Sequence, residues 1–130
     1  MTKEKHIEYW KKSTEDDCLT IYSLFKDKRF VHSLFFCHLC LEKLIKCAWV
    51  QANNENSPPR TYNLIRILSE TNLKMDDQQS EFLRSMNDFQ IDGRYPDYLF
   101  QIHKRCNLEL TTKILKDFEH IKTWIQNQLP

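Results

Sequence analysis

A single glycine, Gly93, stands in a chain of 130 residues. Tight β-hairpins and phosphate-cradling loops rely on residues that accept positive φ, so they use glycine freely. With no Asn-Gly pair and no glycine-rich loop, the chain lacks the means for an all-β fold or a loop-based phosphate site. A helical bundle needs few tight turns and tolerates the scarcity. Excess charge of one sign is also missing: 19 basic against 18 acidic residues give a net +1. That excludes a whole-molecule field for gripping DNA or an anionic membrane, while leaving room for a local basic face. No apolar run approaches the ~18 residues that a membrane span requires. The opening stretch MTKEKHIEYW is polar and has no apolar h-region of a secretory leader. The five cysteines are odd in number and follow no disulfide framework. The expectation is a cytoplasmic protein without a membrane contact.

What is present suits a folded core. Hydrophobic residues make up 41% and aromatic residues 12% of the chain, and a chain of this length hides roughly two-thirds of its unfolded surface on folding. There is no internal repeat, and residues 1–130 are expected to form one domain. Ile7, Trp10, Thr14, Cys18, Ile21 and Phe25 recur at three or four residues and predict a helix over about Glu4–Phe25. From about Phe30 to Gln51 the apolar residues cover most of the circumference, which predicts a helix at the bundle centre or at a subunit interface. A thin polar stripe crosses it at His38, Glu42 and Lys46, four residues apart and so on one face. Asn53–Pro59 reads as a loop in which Ser57 and the two prolines mark a helix start, and a short third helix is predicted over about Arg60–Thr71, with Tyr62, Ile65 and Leu68 or Ile67 inward. Asp76 or Asp77 is placed to cap a fourth helix to about Phe89. Asp92–Tyr98, holding the lone glycine and Pro96, reads as irregular. A closing helix is predicted from about Asn107 to Gln128, burying Leu110, Ile114, Leu115, Phe118, Ile121 and Ile125. The fold class is all-α, an up-and-down bundle of four to five helices.

Three pieces carry a resemblance: His38-Leu39-Cys40-Leu41-Glu42-Lys43-Leu44-Ile45-Lys46, then Pro59-Arg60-Thr61-Tyr62-Asn63-Leu64, then Arg94-Tyr95-Pro96-Asp97-Tyr98. With Trp10 and Asp17 in the first helix, their order and spacing resemble the HEPN family of small helical domains over about Glu8–Trp124. The resemblance implies a bundle that is usually dimeric through its first helices. It also implies nucleotide binding, often beside a minimal nucleotidyltransferase on a separate chain; another branch of the family consists of ribonuclease toxins. Tyr62 stands where many relatives carry histidine. The ribonuclease branch uses an Arg followed after four to six residues by a His. Here Arg29 and His32 are separated by two residues and Arg94 and His103 by eight. The toxin chemistry is therefore not expected, and the chain is read as non-catalytic and without a cofactor.

The expected ligand-binding residues are Glu42, Lys43, Lys46, Arg60, Arg94, Tyr95 and Asp97. Arg94 offers phosphate a planar fork with paired hydrogen bonds, Tyr95 a ring for stacking, and Asp97 a carboxylate for a sugar or amine. The competing structural reading pairs Arg94 with Asp97 or Glu42 and packs Tyr95 on the bundle. Lys43 or Lys46 would meet phosphate, with Glu42 orienting them. Alternatively, Glu42 and Lys46 form an i,i+4 pair worth about 0.2–0.5 kcal/mol, or a half-buried Glu42 takes Arg94 or Arg60 as its partner. His38 reads as a hydrogen-bonded core histidine before it reads as a base. Cys37-His38-Leu39-Cys40 has no second pair to complete a zinc site, so its thiols read as buried packing groups. The basic residues Lys3, Lys5, Lys11 and Lys12 and the Lys26–Arg29 run read as solvated faces. Three functions follow: a nucleotide-binding or accessory subunit acting with a nucleotidyltransferase, a ribonuclease toxin, or a helical dimer scaffold with no ligand.

Overall fold

A computed structural model describes residues 2–55 and 57–129. Among them the chain forms six α-helices and one 3-10 turn, with no strand: α1 Lys3–Lys26, α2 Phe30–Ala52, α3 Leu64–Ser69, α4 Asp77–Met86 continued by the turn Asn87–Phe89, α5 Pro96–Arg105 and α6 Leu108–Gln128.

α2 is the central rod. Thirteen of its 23 residues are buried, from Val31 to Val50, and it touches α1, α3, α5 and α6. Its apolar circumference is thus spent inside the chain and leaves no broad apolar face over. α1 lies antiparallel along it. Ser33 donates to the Ile21 carbonyl, Lys43 to Asp17, and Cys47 to the Ile7 carbonyl, so partners retreat along α1 as α2 advances. The two helices are joined by a Schellman turn: Lys28 N–H donates to Phe25 O and Arg29 N–H to Leu24 O. This turn needs a residue at positive φ, and in a chain with one glycine Lys28 supplies it at φ 62°.

α6 contacts α1 in the opposite sense, Tyr22 meeting Glu119 and Cys18 meeting Lys122. It therefore runs alongside α2 in the same direction, and the short helices α3 to α5 carry the chain back between the two. Ile21, Leu34, Leu41, Ile45, Leu64, Ile67, Leu83, Met86, Phe118 and Ile125 fill the core.

The helix ends correct two sequence expectations. The third helix does not begin at about Arg60, directly after the Pro58-Pro59 pair. It starts at Leu64, where Asn63 Oδ1 accepts from the backbone of Ile65 and Arg66 and so caps it. Asn56 in the preceding loop lies outside the described residues. The segment after Gly93 is not wholly irregular either: Pro96 occupies the first turn of α5, a ten-residue helix. α4 begins as expected, with a capping box between Asp76 and Gln79, and Asn107 caps α6.

Candidate functional site

The polar stripe of α2 meets the loop before α3 and the loop before α5 on one side of the bundle. His38 is buried, and its Nε2 lies 2.7 Å from the Tyr62 carbonyl. A carbonyl only accepts, so Nε2 carries the hydrogen and donates it. Burial holds the His38 pKa below its ordinary value, against the Tyr62 carbonyl and the Glu42 charge, which favour the protonated ring. The Asn87 side chain favours the protonated ring as well. The Asn87 side chain reaches Leu64 N–H at 3.1 Å and Asn63 Oδ1 at 3.2 Å, locking the end of α4 to the start of α3.

Tyr62 passes the chain of contacts to Arg94. The Arg94 guanidinium sits 5.1 Å above the Tyr62 ring and 4.6 Å above the Tyr98 ring. Its Nε donates to the Gln90 carbonyl at 3.0 Å and one Nη to the Tyr62 hydroxyl at 3.2 Å. The Tyr98 hydroxyl donates to the Asp88 carbonyl, which fixes that ring in turn. Two aromatic faces and two neutral acceptors thus hold a cation that has no carboxylate partner among the described residues. This overturns the pairing of Arg94 with Asp97 or Glu42. Aromatic faces attract a cation without cancelling its charge, so Arg94 keeps its positive field and its remaining N–H donors.

The other expected residues divide. Glu42 takes Lys46 as its partner at 3.0 Å, not Arg94 or Arg60. Both charges still act on His38, so they flank the same stripe. Lys43 leaves the group altogether: its Nζ turns toward α1 and lies 2.8 Å from Asp17 and 2.6 Å from Ser13 Oγ. Tyr95 does not pack on the bundle. It is 83% exposed, with Asp97 also exposed in the first turn of α5. Arg60 is exposed two residues before Tyr62. Tyr98, Asn87 and Gln90 are the residues that the sequence reading missed. Tyr98 stands in the first turn of α5, four positions after Arg94, which lies just outside that helix.

A cavity of about 420 Å³ lies elsewhere, between α4 and α6, lined by Phe82, His120, Trp124, Asp76 and Asp117 among others. A smaller one of about 190 Å³ lies where the Lys26–Arg29 run meets α5, with His32 and His103 on its wall. His103 faces His32, not Arg94, with ring centroids 6.4 Å apart. Among the described residues no group of three His, Cys, Asp or Glu side chains is placed to hold a metal ion, and no helix is long and apolar enough to cross a membrane.

No curated protein and no solved structure matches the chain. The HEPN domain model matches residues 7–128, nearly the whole length, and its helical bundle is the one described above. The chain belongs to the HEPN family.

Proposed function

We propose that this HEPN protein is a non-catalytic nucleotide-binding module that works as an accessory subunit to a separate minimal nucleotidyltransferase. The observation that carries the reading is Arg94: an arginine held rigidly by Tyr62 and Tyr98, without a counter-ion among the described residues, beside an open ring at Tyr95. A phosphate would take the free guanidinium donors, the Tyr95 ring offers a stacking face for the base, and Asp97 offers an acceptor to the sugar. Arg60, exposed on the segment that leads into Tyr62, adds a second cation. Lys46 contributes less, because Glu42 already balances it.

One feature supports association and another a role without catalysis. Tyr9 and Leu19 are exposed apolar residues on α1, the helix through which the resemblance implies a homodimer. The spacing of Arg94 and His103 does not fit the ribonuclease pattern, which supports a role without catalysis. The test is titration calorimetry with nucleoside triphosphates on the native protein and on Arg94→Ala. The expected result is saturable binding by the native chain and loss in the variant. Absence of binding across the four nucleotides, together with failure to co-purify with a nucleotidyltransferase encoded beside it, would end the proposal.

A further inference from the structure

A second group of reactive side chains lies apart from the Arg94 cluster, where α1, α2 and α6 meet. Cys18 of α1 is partly exposed. Lys122 of α6 brings its Nζ to 3.5 Å from the Cys18 sulfur. The same ammonium pairs with Glu119 at 2.9 Å, and that carboxylate accepts the Tyr22 hydroxyl at 2.6 Å. Behind Cys18, inside the α1–α2 seam, Cys40 is fully buried, and its thiol acts on the Cys18 sulfur by favouring the anion there. The antiparallel register puts the two there: Ser33 reaches Ile21 and Lys43 reaches Asp17, and Cys40 falls between them, opposite Cys18.

The five cysteines are not alike. Burial holds Cys37, Cys47 and Cys106 as thiols, raising each above its ordinary value. Cys40 is raised too, by its hydrogen bond to Cys18 and by burial. Cys18 goes the other way: the Cys40 S–H and then the Lys122 ammonium favour its anion over the opposing effect of burial and bring it down to about 6. A thiolate, not a thiol, is the nucleophile. A lone low-pKa cysteine would only be a reactive spot, but here an ammonium lies on one side and a second sulfur on the other.

We propose that Cys18 is a hydroperoxide-reactive nucleophile and Cys40 its resolving thiol. The Cys18 thiolate attacks the outer oxygen of ROOH. The O–O bond breaks, an S–O bond forms, and ROH leaves after taking a proton from solvent. The sulfur is oxidised to a sulfenic acid and the hydroperoxide is reduced to the alcohol. Once Cys18 is oxidised, its anion no longer holds the Cys40 proton; the Cys40 sulfur gives that proton to the leaving oxygen as it attacks the Cys18 sulfur, the S–O bond breaks, and water leaves. The disulfide so formed ties α1 to α2, and an external dithiol returns both thiols while it becomes a disulfide itself. The proposed nucleotide site is not involved.

The experiment treats the full chain with one equivalent of hydrogen peroxide at neutral pH, then alkylates under denaturing, non-reducing conditions and maps peptides by mass. The expected product is a Cys18–Cys40 linked peptide, with Cys37, Cys47 and Cys106 alkylated. In Cys40→Ser, a 1,3-dicarbonyl reagent should trap a sulfenic acid at Cys18. In Lys122→Met, the oxidation rate should fall several-fold and its pH midpoint should move up toward the ordinary thiol range. Should Cys40→Ser fail to fold, Cys18→Ser serves instead and must abolish uptake of the first equivalent. First oxidation at another cysteine, a sulfenic acid that persists beside a reduced Cys40, or an unmoved midpoint in Lys122→Met would overturn the proposal.

Discussion

Lys43 Nζ lies 2.8 Å from Asp17 Oδ2, across the seam between the two longest helices, with both side chains largely withdrawn from solvent. The pair explains why a lysine in the middle of the Glu42-Lys43-x-x-Lys46 run is a structural residue. Position 43 follows Glu42 by one residue, about 100° round the helix, so it leaves the His38–Glu42–Lys46 stripe and faces α1. Removing one member of a buried pair strands the other charge. Lys43→Ala should therefore destabilise the protein by about 3 kcal/mol, toward the low end for a buried pair because some solvent reaches it. Urea denaturation checks this, and Asp17→Asn should cost a similar amount. Nucleotide affinity measured on the folded fraction should not change. A variant as stable as the native chain would mean that the pair is solvent-screened and contributes little.

Arg94 makes the opposite prediction. Stacking between Tyr62 and Tyr98 contributes about 1 kcal/mol to stability, in the middle of the range for a partly desolvated cation on aromatic rings. Arg94→Ala should thus lower stability only modestly while abolishing measurable nucleotide binding. Arg94→Lys keeps the charge but loses the planar fork and the Nε bond to Gln90. It should weaken binding at least tenfold, equivalent to about 1.4 kcal/mol. Lys46→Ala should cost less than either, since Glu42 already holds that ammonium. Calorimetry on the three variants fixes the order, and a larger loss from Lys46→Ala than from Arg94→Ala would move the site along α2.

His38 should make stability depend on pH in one direction. The folded ring is held neutral, with its pKa below the ordinary value because of burial. The unfolded ring titrates near 6.5. Below that pH the unfolded chain binds a proton that the folded chain resists, so stability is fully present above about 6.5 and falls as the pH drops through the unfolded value toward the folded one. The contribution is a loss in mild acid, not in mild base. His38→Gln should flatten the Tm profile between pH 7.5 and pH 5 relative to the native chain. An equally steep profile in the variant would assign the acid sensitivity to the carboxylates instead.

The long helices were legible in the sequence because their period repeats over five or six turns. α1, α2 and α6 begin and end within a residue or two of the expected bounds. The short ones were not, because one or two turns leave too few apolar positions to show a period, and local punctuation decides. At Ser57-Pro58-Pro59 the prolines suggested a helix start, yet the start belongs to Asn63, whose carbonyl oxygen caps two backbone donors that the prolines do not address. At Pro96 the same residue type was read as a breaker, although Asp97 after it and His103, Lys104 and Arg105 at the far end match the helix dipole. The site shows the same divide. That His38, Glu42 and Lys46 share a face follows from their spacing. That Arg94 would choose two tyrosines over two available carboxylates is a tertiary outcome: Tyr62 arrives from a loop more than thirty residues earlier, and no pattern along the chain announces it.

Scarcity of glycine leaves one local strain that can be relieved. Lys28 occupies the left-handed position of the Schellman turn at φ 62°. A side chain with a Cβ is disfavoured there by roughly 1–2 kcal/mol, whereas glycine adopts the conformation freely. Glycine also makes the unfolded chain more flexible, which gives back part of the gain. Lys28→Gly should therefore raise stability by about 1 kcal/mol, read as a higher denaturant midpoint at unchanged slope. Lys28→Ala separates this effect from any role of the ammonium: it keeps the Cβ and the strain and should not share the gain. If alanine stabilised as much as glycine, the relief would come from removing a charge beside Lys26 and Arg29 and not from the backbone. If glycine stabilised nothing, the turn would hold Lys28 without penalty, and the two hydrogen bonds that close it would already offset the left-handed conformation.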